Sequence, residues 1–162
     1  MDIAFDYAIL GGIIAAFVMV VAMYAGRIMG LATDMIRVIG LMFVPEEKAG
    51  AVYAVGFVVH FLTGAVFGIV YAVLFHAIAA VPVISIAATA GALFGILHGL
   101  SIGAILGFMP AFHPRMGVGE AVAPPGFFGR NVGLAMPVGL IILHVIYGAI
   151  VGVVYGTRYL VF

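Results

Sequence analysis

Cysteine is absent from the 162 residues, and that absence removes disulfides, iron-sulfur clusters, thiolate metal sites and cysteine nucleophiles together. Tryptophan is also missing, so any aromatic belt at a membrane surface falls to tyrosine. Charge is scarce. Six basic and six acidic side chains balance to a formal net charge of zero, and charged residues make up 7% of the chain, against roughly 25% in an ordinary soluble domain. A neutral chain excludes nucleic acid as a partner. So few polar residues cannot build a second, water-facing core, which excludes elaborate chemistry outside a membrane. The opening Met1-Asp2-Ile3-Ala4-Phe5-Asp6 carries two acids and no base, the wrong charge for a secretory signal, so the first apolar run is expected to persist as an uncleaved span.

Apolar residues fill the space that charge leaves. They account for 67% of the chain, and the mean hydropathy is +1.39. Four apolar runs each reach the roughly 20 residues needed to cross a hydrocarbon layer of about 30 Å. The expected fold is an all-α integral membrane protein, one membrane domain over residues 1–162 built as a four-transmembrane-helix bundle. The spans run from about 5 to 30, 45 to 78, 82 to 108 and 137 to 159. Residues 33–44 repeat Met35, Ile39 and Met42 at helical spacing, with Asp34 and Arg37 placed to pair on the other side. That pattern describes a short interfacial helix capped by Thr33 or Asp34, or equally a kinked prolongation of the first span. Pro45-Glu46-Glu47-Lys48 reads as the start of the second span.

The chain is also expected to be built twice. His60-Phe61-Leu62-Thr63-Gly64-Ala65-Val66-Phe67-Gly68-Ile69-Val70-Tyr71 returns 84 residues later as His144-Val145-Ile146-Tyr147-Gly148-Ala149-Ile150-Val151-Gly152-Val153-Val154-Tyr155. Six of the twelve positions are identical. The His, both Gly and the Tyr of each copy lie at i, i+4, i+8 and i+11, on one helix face. Two parallel two-helix repeats, 5–79 and 82–160, would be related by a pseudo-two-fold axis along the membrane normal. The two stripes then face each other across that axis or face equivalent grooves on the first and third spans. The doubled His-x-x-x-Gly-Ala-x-x-Gly-x-Val-Tyr unit resembles that of small four-span bacterial and archaeal membrane proteins, and the resemblance implies no activity.

Small residues recur at the spacing that lets helix backbones approach closely in lipid. Gly64 and Gly68, their counterparts Gly148 and Gly152, and the ladder Gly91, Gly95, Gly99, Gly103 and Gly107 are the expected packing positions. Another helix should lie in the groove of that ladder. The first span adds Ala8, Gly12 and Ala16 on one ridge and Ala22, Gly26 and Gly30 on another. Residues 110–131, rich in proline and glycine, form a long irregular loop.

Arg27, Arg37, Lys48, Arg115 and Arg130 flank the first and third connections, so those should face the cytoplasm and both termini the outside of a prokaryotic cytoplasmic membrane; Arg158 disagrees. Tyr7, Tyr71, Tyr155 and Tyr159 should mark the outer interface. His76 and His113 should be solvated near the two surfaces.

No Asp, Glu, Lys or Arg lies mid-span, which leaves His60, His98 and His144 as intramembrane groups worth a functional hypothesis. Each lies roughly half a bilayer in from a charged end. His60 and His144, at one depth on two parallel helices, could hold a b-type haem, and His98 is a candidate third ligand for a metal such as copper. The plain alternative is a neutral imidazole donating across helices to a carbonyl or to Thr63 or Ser101. Weighed together, these features predict an accessory subunit without catalysis or cofactor of its own. Its partners would be the lipid bilayer and other membrane-protein subunits, or further copies of itself. The alternatives are the haem-binding cytochrome and a small transporter with its site at the repeat interface.

Overall fold

The computed structural model describes residues 2–28, 34–80, 83–117 and 121–160. Five α-helices account for most of them: α1 (Phe5–Ile28), α2 (Met35–Leu41), α3 (Ala49–Ala77), α4 (Ile84–Phe108) and α5 (Met136–Thr157). Short 3-10 turns at Met109–Ala111, Phe127–Gly129 and Arg158–Leu160 complete the pattern, and no strand occurs among the described residues. The four long helices are long and apolar enough to cross a membrane. Even the shortest, α5 with 22 residues, reaches about 33 Å at 1.5 Å per residue.

The helix ends follow from local chemistry. Asp34 caps α2 by accepting the Arg37 backbone N–H at 3.1 Å, so α2 is a separate helix; Thr33, the other expected cap, lies outside the described residues. The expected Asp34–Arg37 side-chain pair is replaced by two others. Asp34 binds Arg27 at 2.5 Å and accepts the Tyr53 hydroxyl at 2.7 Å, while Arg37 pairs with Glu46. Because Glu46 is drawn to Arg37, Pro45–Lys48 forms a turn and α3 starts only at Ala49, later than the proline signal indicates. Helix α3 ends in an αL residue, Ala79 (φ 53°), with the Ala80 N–H donating back to Phe75 O at 2.9 Å. Pro110 closes α4, and Pro137 sits in the first turn of α5 as expected.

The helices pack backbone to backbone at glycine. Gly64 and Gly68 of α3 meet Gly12, Ala16 and Ala8 of α1, and Gly148 and Gly152 of α5 meet Gly91 and Ala87 of α4. The two glycine stripes therefore face α1 and α4 rather than each other. The short α2 lies on α3 in the same manner, with Gly40 against Val52 and Gly56 against Ile36. Helix α5 occupies the α4 groove only along Gly91, Gly95 and Gly99. The rings of Phe128 and Phe127 cover Gly103 and Gly107, so the lower groove is filled by the long loop where a helix was expected.

Helix α1 packs on both α3 and α5, whereas the α3 and α4 backbones stand apart and are bridged by the side chains of Phe67, Tyr71, Phe75, Phe94 and His98. Along the α1–α5 seam a core of Ala8, Ala15, Val151 and Tyr155 is fully buried, and the Ala4 N–H donates to the Tyr155 hydroxyl at 3.2 Å. Tyr71 and Tyr155, read from sequence as markers of the outer interface, are instead 2% and 0% exposed, inside an aromatic cluster with Phe75. Tyr7 and Tyr159 are half-buried at its edge.

At the opposite end of the bundle the long loop docks on α2. His113, expected to be solvated, is 3% exposed. Its Nε2 lies 2.9 Å from Val38 O and its Nδ1 accepts the Arg115 N–H at 3.2 Å. Arg115 donates to Leu41 O at 2.7 Å, so two side chains of the loop satisfy carbonyls at the C-terminal end of α2. His76 is half-buried, with Nδ1 2.9 Å from Ala72 O one turn back.

Candidate functional site

The separation of α3 from α4 leaves a cavity of about 470 Å³ inside the bundle. His60, Thr63 and Phe67 of α3, His98 of α4, and His144 and Tyr147 of α5 line its mid-depth part. Met19 and Met23 of α1 and Met35 and Ile39 of α2 line the rest. Among the described residues no Asp, Glu, Lys or Arg lines it. Thr63 and Ile142 line the cavity and are also exposed, so it reaches the surface of the bundle between α3 and α5.

All three mid-span histidines thus share one space, but the pair in contact is not the pair expected. His98 and His144 meet edge to face, with ring centroids 4.6 Å apart. Phe67 stacks on His98 at 4.0 Å, and the Tyr71 hydroxyl lies 3.4 Å from His98 Nδ1. His60 turns to the neighbouring helix, with Nε2 3.3 Å from the carbonyl of Ala16. That is the cross-helix carbonyl bond foreseen as the plain reading of these residues. Ser101 bonds instead to its own helix at Leu97 O, 2.9 Å away. Among the described residues no three His, Asp or Glu side chains converge as a metal site would require, so His60, His98 and His144 share the cavity without forming a three-ligand set.

Backbone carbonyls only accept hydrogen bonds, and this determines the imidazole tautomers. His144 Nδ1 lies 2.7 Å from Leu140 O, one turn back on α5, and therefore carries the proton. Its Nε2 has no hydrogen-bond partner among the described residues. His60 carries its proton on Nε2 for the same reason and offers Nδ1 as a lone pair. Tyr147 donates its hydroxyl to Gly64 O at 2.6 Å, where Gly64 is pressed against Gly12 and Ala16.

No family model, curated protein or solved structure matches this chain. Its chemistry has to be argued from the cavity.

Sequence reasoning missed Tyr147 and Phe67 as members of the site. Tyr147 was detectable in principle: it lies three residues after His144, on the same helix face, where the first copy has Thr63. Phe67 carried no signal of its own, because its role depends on α4 presenting His98 to it. The glycines named from sequence set the walls. A methyl added at Gly99 would lie 3.3 Å from the His144 Cβ, and Gly95 is pressed against the His144 carbonyl. The imidazole is held where it is by the close approach of α4.

Proposed function

We propose that this chain is a membrane-embedded binding protein that takes a small, largely apolar molecule from the bilayer into the cavity between α3 and α5. The observation that carries the proposal is the cavity itself. Its volume falls in the roughly 300–1,000 Å³ range of small-molecule sites, its lining is apolar with a few convergent polar groups, and it opens midway along helices long and apolar enough to cross a membrane. In this reading the two helix pairs are copies of one unit, since Gly64 meets Gly12 as Gly148 meets Gly91, and Gly68 meets Ala8 as Gly152 meets Ala87. A pseudo-two-fold axis along the membrane normal would relate them. Closing α1 onto α5 while α3 stays off α4 breaks that equivalence and opens the cavity on one side only. The end carrying α2, the long loop and five of the six basic residues faces the cytoplasm in this reading, and both termini face outward.

Photolabelling tests the proposal. The full chain in phosphatidylcholine nanodiscs is exposed to a diazirine-bearing alkylbenzene and the adducts are mapped by mass spectrometry. Saturable labelling of cavity residues such as Leu143 and Ile102 is expected, and it should be lost in Gly139→Leu. Gly139 lines the cavity with nothing within 4 Å of an added methyl, so leucine there fills space without displacing backbone. Non-saturable labelling spread over the lipid faces refutes the proposal.

Haem is the second reading, favoured because His60 and His144 do line the same cavity. The fit is incomplete. His144 offers Nε2 with Nδ1 tied to a carbonyl, as metal-binding histidines commonly do. His60, however, directs Nε2 at Ala16 O, and among the described residues no Arg or Lys lines the cavity to face propionates. A Soret band and a reduced α-band in the purified protein would establish haem and displace the first reading. The accessory-subunit reading rested on spare small-residue ridges. The glycines it named are filled from within the fold, and it now depends on the chain running with partner subunits on gel filtration in mild detergent. A transporter would use the same cavity, and flux into proteoliposomes that disappears in His60→Ala would distinguish it.

A further inference from the structure

We infer that the cavity selects a neutral, lipid-soluble alcohol or phenol, whose hydroxyl donates its proton to Nε2 of His144. The inference rests on the cavity being a binding site, as proposed above, and concerns what the site recognises.

The Leu140 carbonyl holds the His144 proton on Nδ1, and Nε2 is left as a lone pair with no partner among the described residues. The Ala16 carbonyl does the same to His60 from the other nitrogen, leaving Nδ1 as a lone pair. The hydroxyl proton of Tyr147 is committed to Gly64 O, so its oxygen too can only accept. His98 Nδ1 lies 3.4 Å from the Tyr71 hydroxyl, which both donates and accepts, so the other nitrogen of His98 is a donor in one tautomer and a lone pair in the other. The fixed acceptors, His144 Nε2, His60 Nδ1 and the Tyr147 oxygen, outnumber the donors that His98 and the Thr63 hydroxyl supply, so the lining is complementary to a ligand that donates. A hydroxyl, which donates once and still accepts, fits both; a ketone, an ether or a hydrocarbon leaves Nε2 of His144 unpaired. Charge is disfavoured independently. Among the described residues no ionic side chain lines the cavity, so a carboxylate or an ammonium would be desolvated without a counter-ion there. The remaining lining, Met19, Met23, Met35 and Ile39, matches an apolar body.

The test uses three probes of one shape: 4-hexylphenol, 4-hexylanisole, which accepts but cannot donate, and hexylbenzene, which does neither. Each competes with the photolabel on the full chain in nanodiscs at matched membrane concentration. The phenol is expected to displace the label at about tenfold lower concentration than the other two, the effect of one buried hydrogen bond. His144→Leu should bring the three probes to equal potency as competitors. In wild-type protein labelled with [15N]histidine, the phenol alone should shift the Nε2 resonance of His144, a readout that stands if the variant does not fold. Equal competition by all three probes with no Nε2 shift overturns the inference and leaves the cavity reading standing. No saturable labelling with any probe overturns the cavity reading itself.

Discussion

Replacing Gly148 by alanine adds a single methyl at the point where α4 and α5 are closest. An ideal Cβ there lies 2.7 Å from the carbonyl carbon of Gly91, with the carbonyl oxygen nearer still, whereas ordinary contact begins at 3.4 Å. The shortfall of at least 0.7 Å (3.4 minus 2.7) is against backbone, so no rotamer change relieves it. The two helices must part by about that much, and a gap of 0.5–1 Å forfeits roughly a quarter to a half of each dispersion contact. Overpacking of this kind costs about 1–3 kcal/mol, and the upper end applies because Gly95 and Gly152 make backbone contacts along the same seam. Alanine also favours the helix by about 1 kcal/mol over glycine, so a net loss of about 2 kcal/mol is expected. That is about thirtyfold in the folding equilibrium. Gly139→Ala, in the same helix with nothing within 4 Å of its methyl, should instead be neutral or stabilising. Unfolding by sodium dodecyl sulfate in mixed micelles, followed by circular dichroism, measures both. If the two variants unfold alike, the backbone contact is not what holds α4 to α5.

The other predictions concern the end that carries α2 and the long loop. Asp34→Ala removes the α2 cap and the acceptor for Tyr53, and should lower stability by about 1–2 kcal/mol, while Asp34→Asn, which can still cap, should lose less. The exposed Arg27 pair adds little to this, and thermal denaturation in detergent compares the two variants. Phe128→Ala uncovers Gly103 and should make the loop more open to trypsin at Arg115 and Arg130. Phe128 adopts φ 57°, and Phe128→Gly should relieve that conformation without restoring protection, since the ring and not the turn closes the groove; unchanged cleavage rates in both would contradict this.

Much of the helical architecture could be read from residue order, because hydropathy and small-residue spacing are local signals. The four long apolar helices followed from hydropathy, whereas residues 33–44 read equally well as a short helix or as a prolongation of the first span until the Asp34 cap separated α2. Where the reading failed, the deciding partner was distant in the chain. Tyr71 looked like an interface residue because it lies near the end of its apolar run. Yet the phenol lies in the core beside Phe75 and Tyr147, because α5 and α4 close over that face of α3. His113 looked solvated in a polar loop, and its burial depends on the Val38 carbonyl 75 residues earlier. The site was half legible. Histidines stand out in an apolar run, but which of them touch depends on α3 being held off α4, a property of no single segment.

The seam between α1 and α5 has a consequence for biosynthesis. Helices α4 and α5 are close in sequence and can pair as soon as both have left the ribosome, and α1 and α3 can do likewise. The bond from Ala4 to Tyr155 joins residues 151 positions apart. Gly11, which rests on Val151 and Val154 in the finished structure, faces lipid until the fourth long helix has been inserted. Final assembly of the bundle, and with it the one-sided cavity, is therefore a late and non-local event. A chain stalled before α5 would present the membrane with a half-built pair whose missing wall a second chain's α5 could supply.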